Sequence, residues 1–160
     1  MTSKRLAIAL LAMIPAIGAD KPHPDLTPAQ VVEAQVEALQ FNDRPTPDAG
    51  IATAFRFASP DNRKVTGPLP RFAQIVRAPG YRPLIDHRVA GYGALIVRGD
   101  VALRRVTVVA DDGQGIEYEF RLSKDPESGC WFTDGVVPVP KVQPVDPGKV
   151  ALATQTTLAF

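Results

Sequence analysis

The segment from residue 116 to residue 122 constrains the fold more than any other part of this chain. It reads IEYEFRL, with an apolar residue at every even position and a charged residue at every odd position. Successive side chains of a β-strand point to opposite faces of a sheet, so this alternation predicts a strand with one buried and one solvated face. Such a strand is typical of an antiparallel sheet that packs against a core on one side.

Turn residues divide the surrounding sequence, from Leu84 to Val137, into four or five strands of this kind. The turn signals are Gly99-Asp100, Asp111-Asp112-Gly113 and Pro126-Glu127-Ser128-Gly129. Short β-branched or aromatic runs separated by Gly, Asp and Pro indicate an antiparallel meander. We expect the chain to enter this sheet with a strand at residues 84–89.

The loop at residues 111–113 sets the register of the two strands beside it. If it is a three-residue hairpin loop with its glycine left-handed, Val108 lies opposite Ile116 and Val106 lies opposite Tyr118. A two-residue loop would shift the pairing by one residue and turn the charged row into the core. We therefore predict the first register.

This register creates one continuous apolar surface that contains no Asp, Glu, Lys or Cys. Its members are Val106, Val108, Ile116, Tyr118, Phe120 and Leu122. An enzyme that works by acid–base catalysis in a pocket normally needs at least one titratable group facing inward. The best-patterned strands therefore argue against a catalytic function.

The first of three predicted helices begins at a capping box. Thr27 is the N-cap, Pro28 occupies the first turn, and Gln30 completes the box. The inward stripe that we predict for this helix consists of Ala29, Val32, Val36 and Leu39. Gln35 is expected on the polar side, away from that stripe.

Two further helices are predicted before the sheet. Residues 46–48 (Thr-Pro-Asp) repeat the capping pattern and open the second helix, which Ser59-Pro60 should end. The third helix is expected after Pro68 or Pro70. Residues 61–64, between these two helices, are predicted to form a solvated loop.

Residues 1–19 have the layout of a secretory signal peptide. A basic start at Lys4-Arg5 precedes an apolar run from Leu6 to Ile17, and small residues then lead to Asp20. The apolar run is shorter than the roughly 20 residues that a bilayer span needs. We therefore predict an exported protein with no membrane span in the mature chain. Its location would be periplasmic or secreted, or lumenal in a photosynthetic compartment.

The rest of the chain has the composition of one globular domain with a linker at each end. Hydrophobic residues make up 45% and charged residues 22% of the sequence, which excludes a disordered chain. We assign residues 20–26 to a linker and residues 27–137 to the domain. Prolines concentrate after that point, so residues 138–160 are predicted to be a proline-rich flexible tail.

Charge and cysteine usage limit the range of partners and cofactors. Loss of Lys4 and Arg5 with the signal peptide changes the formal net charge from +1 to −1, and no basic block remains. We therefore expect no nucleic-acid partner. Cys130 is the single cysteine, which excludes an internal disulfide and a cysteine-rich metal site. No metal and no cofactor are expected.

A small set of polar and aromatic side chains forms the candidate pocket. Its members are Tyr81, Asp86, His87, Tyr92, Arg105, Tyr118 and Trp131. His87 shares strand parity with Ile85 and Val89, so it is either a proton carrier or, as we favour, a core histidine bonded to the backbone. The pair Arg104-Arg105 indicates either a bulge or one arginine on each face of the strand. An inward arginine could bind an anionic ligand, but we favour a salt bridge at the edge or rim of the sheet.

Several short motifs between residues 29 and 137 resemble, in order and spacing, a family of domains of unknown function found in bacteria and plastid-bearing lineages. The motifs are Val32-Glu33-Ala34-Gln35-Val36-Glu37-Ala38-Leu39, Ala58-Ser59-Pro60, Phe72-Ala73-Gln74-Ile75-Val76, Tyr81-Arg82-Pro83 and Trp131-Phe132-Thr133-Asp134-Gly135. Many members have a cysteine after the last glycine, where this chain has Val136. The resemblance supplies no catalytic residues, because none is established for the family.

The resemblance implies a nuclear-transport-factor-two-like (cystatin-like) cone fold. This is an α+β fold in which three N-terminal helices pack on a curved antiparallel meander of four to five strands. Proteins with this cone commonly dimerise through the sheet, so the resemblance also implies a homodimer. The fold by itself does not select a function, because the same cone carries both enzymes and binding modules.

We consider three hypotheses about function, in this order. The first is an exported, non-catalytic module whose cone or sheet face binds an apolar small ligand or a partner protein. The second is a small isomerase- or dehydratase-like enzyme with His87 and a nearby carboxylate inside the cone. In the third, residues 138–160 deliver the domain to an envelope protein.

Overall fold

The computed structural model describes residues 19–140, in which helices come first and strands follow. The helices are Pro28–Gln40 (α1), Ala49–Arg56 (α2), Pro60–Thr66 (α3) and Leu69–Arg77 (α4), followed by a short 3-10 helix at Arg82–Leu84. The strands are Val89–Arg98 (β1), Val101–Val109 (β2), Gly115–Lys124 (β3) and Trp131–Val139 (β4). They form one antiparallel sheet in the order β1-β2-β3-β4. The α+β class and the meander are confirmed.

The register of β2 and β3 is the predicted one. Val106 pairs with Tyr118 and Val108 pairs with Ile116, and Gly113 has a left-handed φ of 80°. All members of the predicted apolar row are fully buried except Ile116, which is half-buried. The core therefore lies between this face of the sheet and the helices.

The predicted capping box begins α1. Thr27 Oγ1 accepts a hydrogen bond from the Gln30 backbone N–H, and Gln30 Oε1 accepts one from the Thr27 N–H at 2.9 Å. The prediction that Gln35 points away from the core was wrong, because this side chain is 4% exposed. α1 packs against α2 and also against β2 and β4, so its buried surface is wider than a single stripe.

The start of α2 differs from the prediction by two residues. Its N-cap is Asp48, not Thr46, and Asp48 has a left-handed φ of 60°. The Asp43 carboxylate holds this conformation by accepting a hydrogen bond from the Asp48 N–H at 2.9 Å. A side chain five residues earlier in the chain therefore helps to fix the start of the helix.

Residues 61–64 were wrongly predicted to be a loop, because they lie within α3. Ser59 Oγ accepts a hydrogen bond from the Asn62 N–H at 3.2 Å, and Pro60 occupies the first position of the helix. No residue of α3 is buried. The helix therefore has no apolar periodicity by which the sequence could reveal it.

Residues 84–89 do not form the predicted first strand, since only Val89 belongs to β1. A 3-10 helix occupies Arg82–Leu84, and Asp86 has a left-handed φ of 53°. The Asp86 backbone N–H donates to the Leu39 carbonyl at the end of α1, at 3.0 Å. This segment therefore pairs with a helix terminus and not with the sheet.

Two bulges interrupt the sheet. In β1 the register shifts between Tyr92 and Leu95, opposite Arg105. In β4 the register shifts at Asp134, because Arg121 pairs with Gly135 whereas Leu122 pairs with Thr133. Bulges bend a strand and increase its twist.

Arg104 and Arg105 lie on opposite faces of the sheet, as one of the two predicted alternatives states. Arg104 is on the helix side, with its side chain 12% exposed and paired with Glu33 of α1 at 2.8 Å. Arg105 is on the outer side and pairs with Glu117 at 3.1 Å. Each arginine is already paired with a carboxylate, which argues against an anion site at either one.

None of the helices in the stretch 19–140 is long and apolar enough to cross a membrane.

The last residues of β4, Pro138 and Val139, pair with Tyr118 and Glu117. They fall within the segment that we assigned to the tail. The predicted signal peptide up to residue 18 and the tail from residue 141 lie outside the described residues.

We predict that Gly50→Ala destabilises the protein by about 3 kcal/mol or more, since overpacking against rigid neighbours costs about 1–3 kcal/mol or more. A Cβ at position 50 would lie 2.0 Å from the Ala38 carbonyl oxygen, which is backbone of α1. Urea unfolding of purified protein measures the change.

The matched control is Gly135→Ala, because a Cβ at that position meets nothing within 4 Å. Its free energy of unfolding should stay within about 0.5 kcal/mol of the wild type, as for a surface substitution. Equal stability of the two variants would contradict the close approach of α1 and α2.

Candidate functional site

A cavity of about 650 Å³ lies between the helices and the inner face of the sheet. Its apolar lining includes Leu39, Phe72, Val76, Leu84, Phe120 and Val136. Its polar lining includes Gln35, Ser59, Asp61, Asn62, Ser123, Thr133 and Asp134. Apolar surface predominates, with polar groups at a few defined positions.

Gln35 and Thr133 form a buried polar pair in the cavity wall. The Gln35 amide Nε2 donates to Thr133 Oγ1 at 2.8 Å and to the Val31 carbonyl at 3.0 Å. The side chains are 4% and 2% exposed. Buried polar groups of this kind remain stable because they are hydrogen-bonded.

Backbone hydrogen bonds fix the position of Thr133. Its N–H donates to the Phe57 carbonyl at 2.8 Å, and its own carbonyl accepts from the Ser59 N–H at 2.9 Å. Asn62 Nδ2 donates to the same carbonyl at 2.9 Å. These bonds tie β4 to the segment that joins α2 and α3, so the inner wall of the cavity is held from both sides.

Two exposed carboxylates, Asp61 and Asp134, stand where the cavity opens to solvent. Ser123 Oγ donates to Asp134 Oδ1 at 2.9 Å. Lys64 lies 2.7 Å from Asp61, and its hydrogen bond and charge lower the pKa of that carboxyl. Lys64 thus offsets the charge of Asp61, whereas Asp134 has no cationic partner among residues 19–140.

Tyr81 and Tyr118 stack beside the cavity, with ring centroids 6.4 Å apart. Tyr81 lines the cavity, and its hydroxyl donates to the Val136 carbonyl at 3.1 Å. Tyr118 is fully buried and donates to the Gly80 carbonyl at 2.9 Å. Burial, with a smaller effect of Tyr81, raises the pKa of Tyr118 to about 12. Tyr118 therefore keeps its proton near neutral pH.

His87 is a buried residue of the core, 3% exposed, and is not among the residues that line the cavity. Its Nδ1 lies 2.9 Å from the Leu84 carbonyl, so this nitrogen carries the proton. Its Nε2 has no partner among residues 19–140. Asp86, the carboxylate next to it in sequence, is exposed.

The remaining candidates also lie away from the cavity lining. Tyr92 stacks under the Arg104 guanidinium, 4.7 Å from the ring centroid. Arg105 is on the outer face of the sheet, and Trp131 is buried in the core. The structure therefore brings Tyr81 to the cavity but none of the other candidates. No three His, Cys, Asp or Glu side chains within residues 19–140 are grouped closely enough to hold a metal ion.

A model of a protein family matches residues 23–145 and thus the whole region that forms the cavity. The family is described as a domain of unknown function, DUF4864. The chain belongs to this family. No curated protein and no solved structure matches the chain.

Sequence reasoning missed the polar residues of the cavity for two different reasons. Thr133 lies two residues after the buried Trp131 in β4, so both side chains point to the inner face. The alternation of strand side chains could therefore have predicted an inward Thr133. Gln35 and Asn62 carry no such signal. Their roles depend on the position of β4, which comes much later in the sequence.

We predict that the free energy of unfolding falls as pH rises from about 10 to about 12. An unfolded tyrosine ionises near pH 10, whereas folded Tyr118 ionises at about 12. Within this window the unfolded chain has lost the proton that the folded chain keeps, so alkali favours unfolding. The contribution of protonated Tyr118 to the free energy of unfolding is fully present below about pH 10. About 2–3 kcal/mol of it is lost by about pH 12 and above.

Tyr118→Phe is the matched variant, and urea unfolding across this pH range is the measurement. The variant should be less stable near neutral pH by about 1 kcal/mol, because it lacks the hydrogen bond to Gly80. The variant should also lack the fall in the free energy of unfolding that Tyr118 causes between about pH 10 and pH 12. An identical slope in both proteins would show that Tyr118 is not the responsible group.

Proposed function

We propose that this protein is a non-catalytic module that binds an apolar small molecule in the cavity between the helices and the sheet. The volume of about 650 Å³ is the observation that carries the proposal. Ligand sites in proteins typically enclose about 300–1,000 Å³ and are mainly apolar, with a few polar groups that orient the ligand. The lining described above has this composition.

The arrangement of titratable groups favours binding over catalysis. The enzyme hypothesis requires His87 and a carboxylate within hydrogen-bond reach of a substrate in the cavity. His87 is instead packed in the core, while Asp86 is exposed. The carboxylates that do line the cavity, Asp61 and Asp134, are exposed to solvent at its opening.

The outer face of the sheet is a poorer site for an apolar ligand. Arg105, Glu117, Glu119 and Arg121 form a ladder of ion pairs across β2 and β3 on that face. An apolar molecule placed there would remove these charges from water without replacing their hydration. For this reason we place the ligand inside. The expected homodimer and envelope partner remain predictions.

We also propose that the domain is a cone of the nuclear-transport-factor-two-like type and that it is exported. The order of helices before a four-stranded meander supports the cone, as do the bulges in β1 and β4. The layout of residues 1–19 supports export. The apolar ligand would then be taken up outside the cytoplasm.

We predict that Val136→Trp weakens binding of the uncharged fluorescent probe phenylnaphthylamine by about tenfold or more, which corresponds to about 1.4 kcal/mol. Val136 is half-buried and lines the cavity, so an indole at this position occupies the space that a ligand needs. Titration of the mature protein with the probe, followed by fluorescence, measures the dissociation constant.

Val137→Trp is the matched control, because Val137 is exposed and does not line the cavity. It should bind the probe as the wild type does. Absence of probe binding by the wild type, or equal loss in both variants, would contradict a ligand site in this cavity.

We predict further that the exported protein begins at Ala19 or Asp20. Ala19 packs against the core and the Asp20 carbonyl accepts from Arg56 Nε at 2.7 Å, so the folded domain extends to this point. Mass spectrometry of the protein secreted from an expression host measures the new N-terminus. Recovery of the full chain from the cytoplasm alone would contradict export.

A further inference from the structure

The buried pair Gln35 and Thr133 has hydrogen-bonding capacity left over. The Gln35 amide nitrogen uses its hydrogens on Thr133 Oγ1 and on the Val31 carbonyl. No donor within residues 19–140 reaches Gln35 Oε1, and the Thr133 hydroxyl hydrogen has no acceptor in the same range. The pair therefore presents one acceptor and one donor.

The Gln35 amide has a defined orientation. A flip by 180° would bring Oε1 against the Val31 carbonyl, where two acceptors would repel each other. With Nε2 on that carbonyl, Oε1 is left for another partner. Among the described residues, His87 Nε2 is the one fully buried side-chain nitrogen or oxygen without a hydrogen-bond partner. Gln35 Oε1 also lacks a partner among them, so it is not fully buried. Because Gln35 lines the cavity, the geometry leaves the cavity as the open space that Oε1 can reach.

The cavity offers a charged ligand little support. Its lining contains the carboxylates of Asp61 and Asp134 but no Lys, Arg or His among the described residues. A carboxylate or phosphate on a ligand would find no cation in this lining and would approach Asp134, while Lys64 is already paired with Asp61. An ammonium group carries only donors, so it could not accept the hydrogen bond that the Thr133 hydroxyl offers. Burial of such an unpaired charge costs far more than a neutral hydrogen bond returns.

We propose that the cavity selects an uncharged amphiphile whose single hydroxyl group binds between Gln35 and Thr133. This inference rests on the proposed ligand-binding function. A hydroxyl group donates one hydrogen bond and accepts others, so it matches the free acceptor Gln35 Oε1 and the free donor Thr133 Oγ at the same time. The hydrocarbon part would contact Phe72, Val76 and Phe120.

Competition against bound phenylnaphthylamine, with the mature wild-type protein at about pH 8, tests the ligand class. The competitors are decanol, its isomer methyl nonyl ether, decanoate and decylammonium. They have chains of similar length, while the last two are charged at this pH by the usual acid and amine pKa values. Decanol should displace the probe at a concentration at least about tenfold lower than each of the others.

The outcomes separate the two proposals. If the probe does not bind, the ligand-binding function fails and the selectivity fails with it. If the probe binds but decanoate or decylammonium competes as well as decanol, the function stands and the selection of an uncharged ligand is overturned. Equal competition by the ether overturns the role of the hydroxyl group.

The variant Gln35→Leu with Thr133→Val tests the assigned residues. It removes both members of the pair together, so neither is left without the other, and it should lose the preference for decanol over the ether. Thr107→Val is the control, because Thr107 is exposed on the outer sheet face. A tenfold preference that survives in the double variant would overturn the assignment. The ligand series on the wild type stands independently if the variant does not fold.

Discussion

The pairing of β2 with β3 is the constraint on which the other parts of the structure depend. The loop at Gly113 joins the two strands in the one register that places Val106 and Tyr118 together on the inner face. A slip of one residue would bring Glu117 and Glu119 into the core, at a cost of several kcal/mol for each unpaired charge. The same pairing creates the apolar floor on which the helices pack and above which the cavity opens.

Backbone hydrogen bonds fix the elements around the cavity at two places. At one place, Thr133 exchanges backbone hydrogen bonds with Phe57 and Ser59. At the other, the Asp86 N–H joins the end of α1 through the Leu39 carbonyl. Backbone polar groups must be paired when they are buried, so these contacts are obligatory. Side chains fill most of the space between them, and about 650 Å³ remains open.

The proposal that this space binds an apolar molecule depends on the side chains that line it. His87 lies in the core and Asp86 is exposed to solvent, so neither side chain lines the cavity. Burial holds Tyr118 in its protonated form by raising its pKa to about 12. The polar groups of the lining are two neutral amides, a few hydroxyl groups and, at the opening, exposed carboxylates. Such groups orient a ligand by hydrogen bonding.

The sequence by itself determined the strand pattern of β3, its register with β2 and the capping box of α1. Each depends on residues close together in the chain, so local periodicity and turn geometry suffice to predict it. The tertiary structure decided the burial of Gln35, the existence of α3 and the position of His87. Gln35 is stable inside because its amide donates to the Val31 carbonyl, one turn earlier, and to Thr133, far along the chain. A site built from such long-range hydrogen bonds leaves no periodic signal in the sequence.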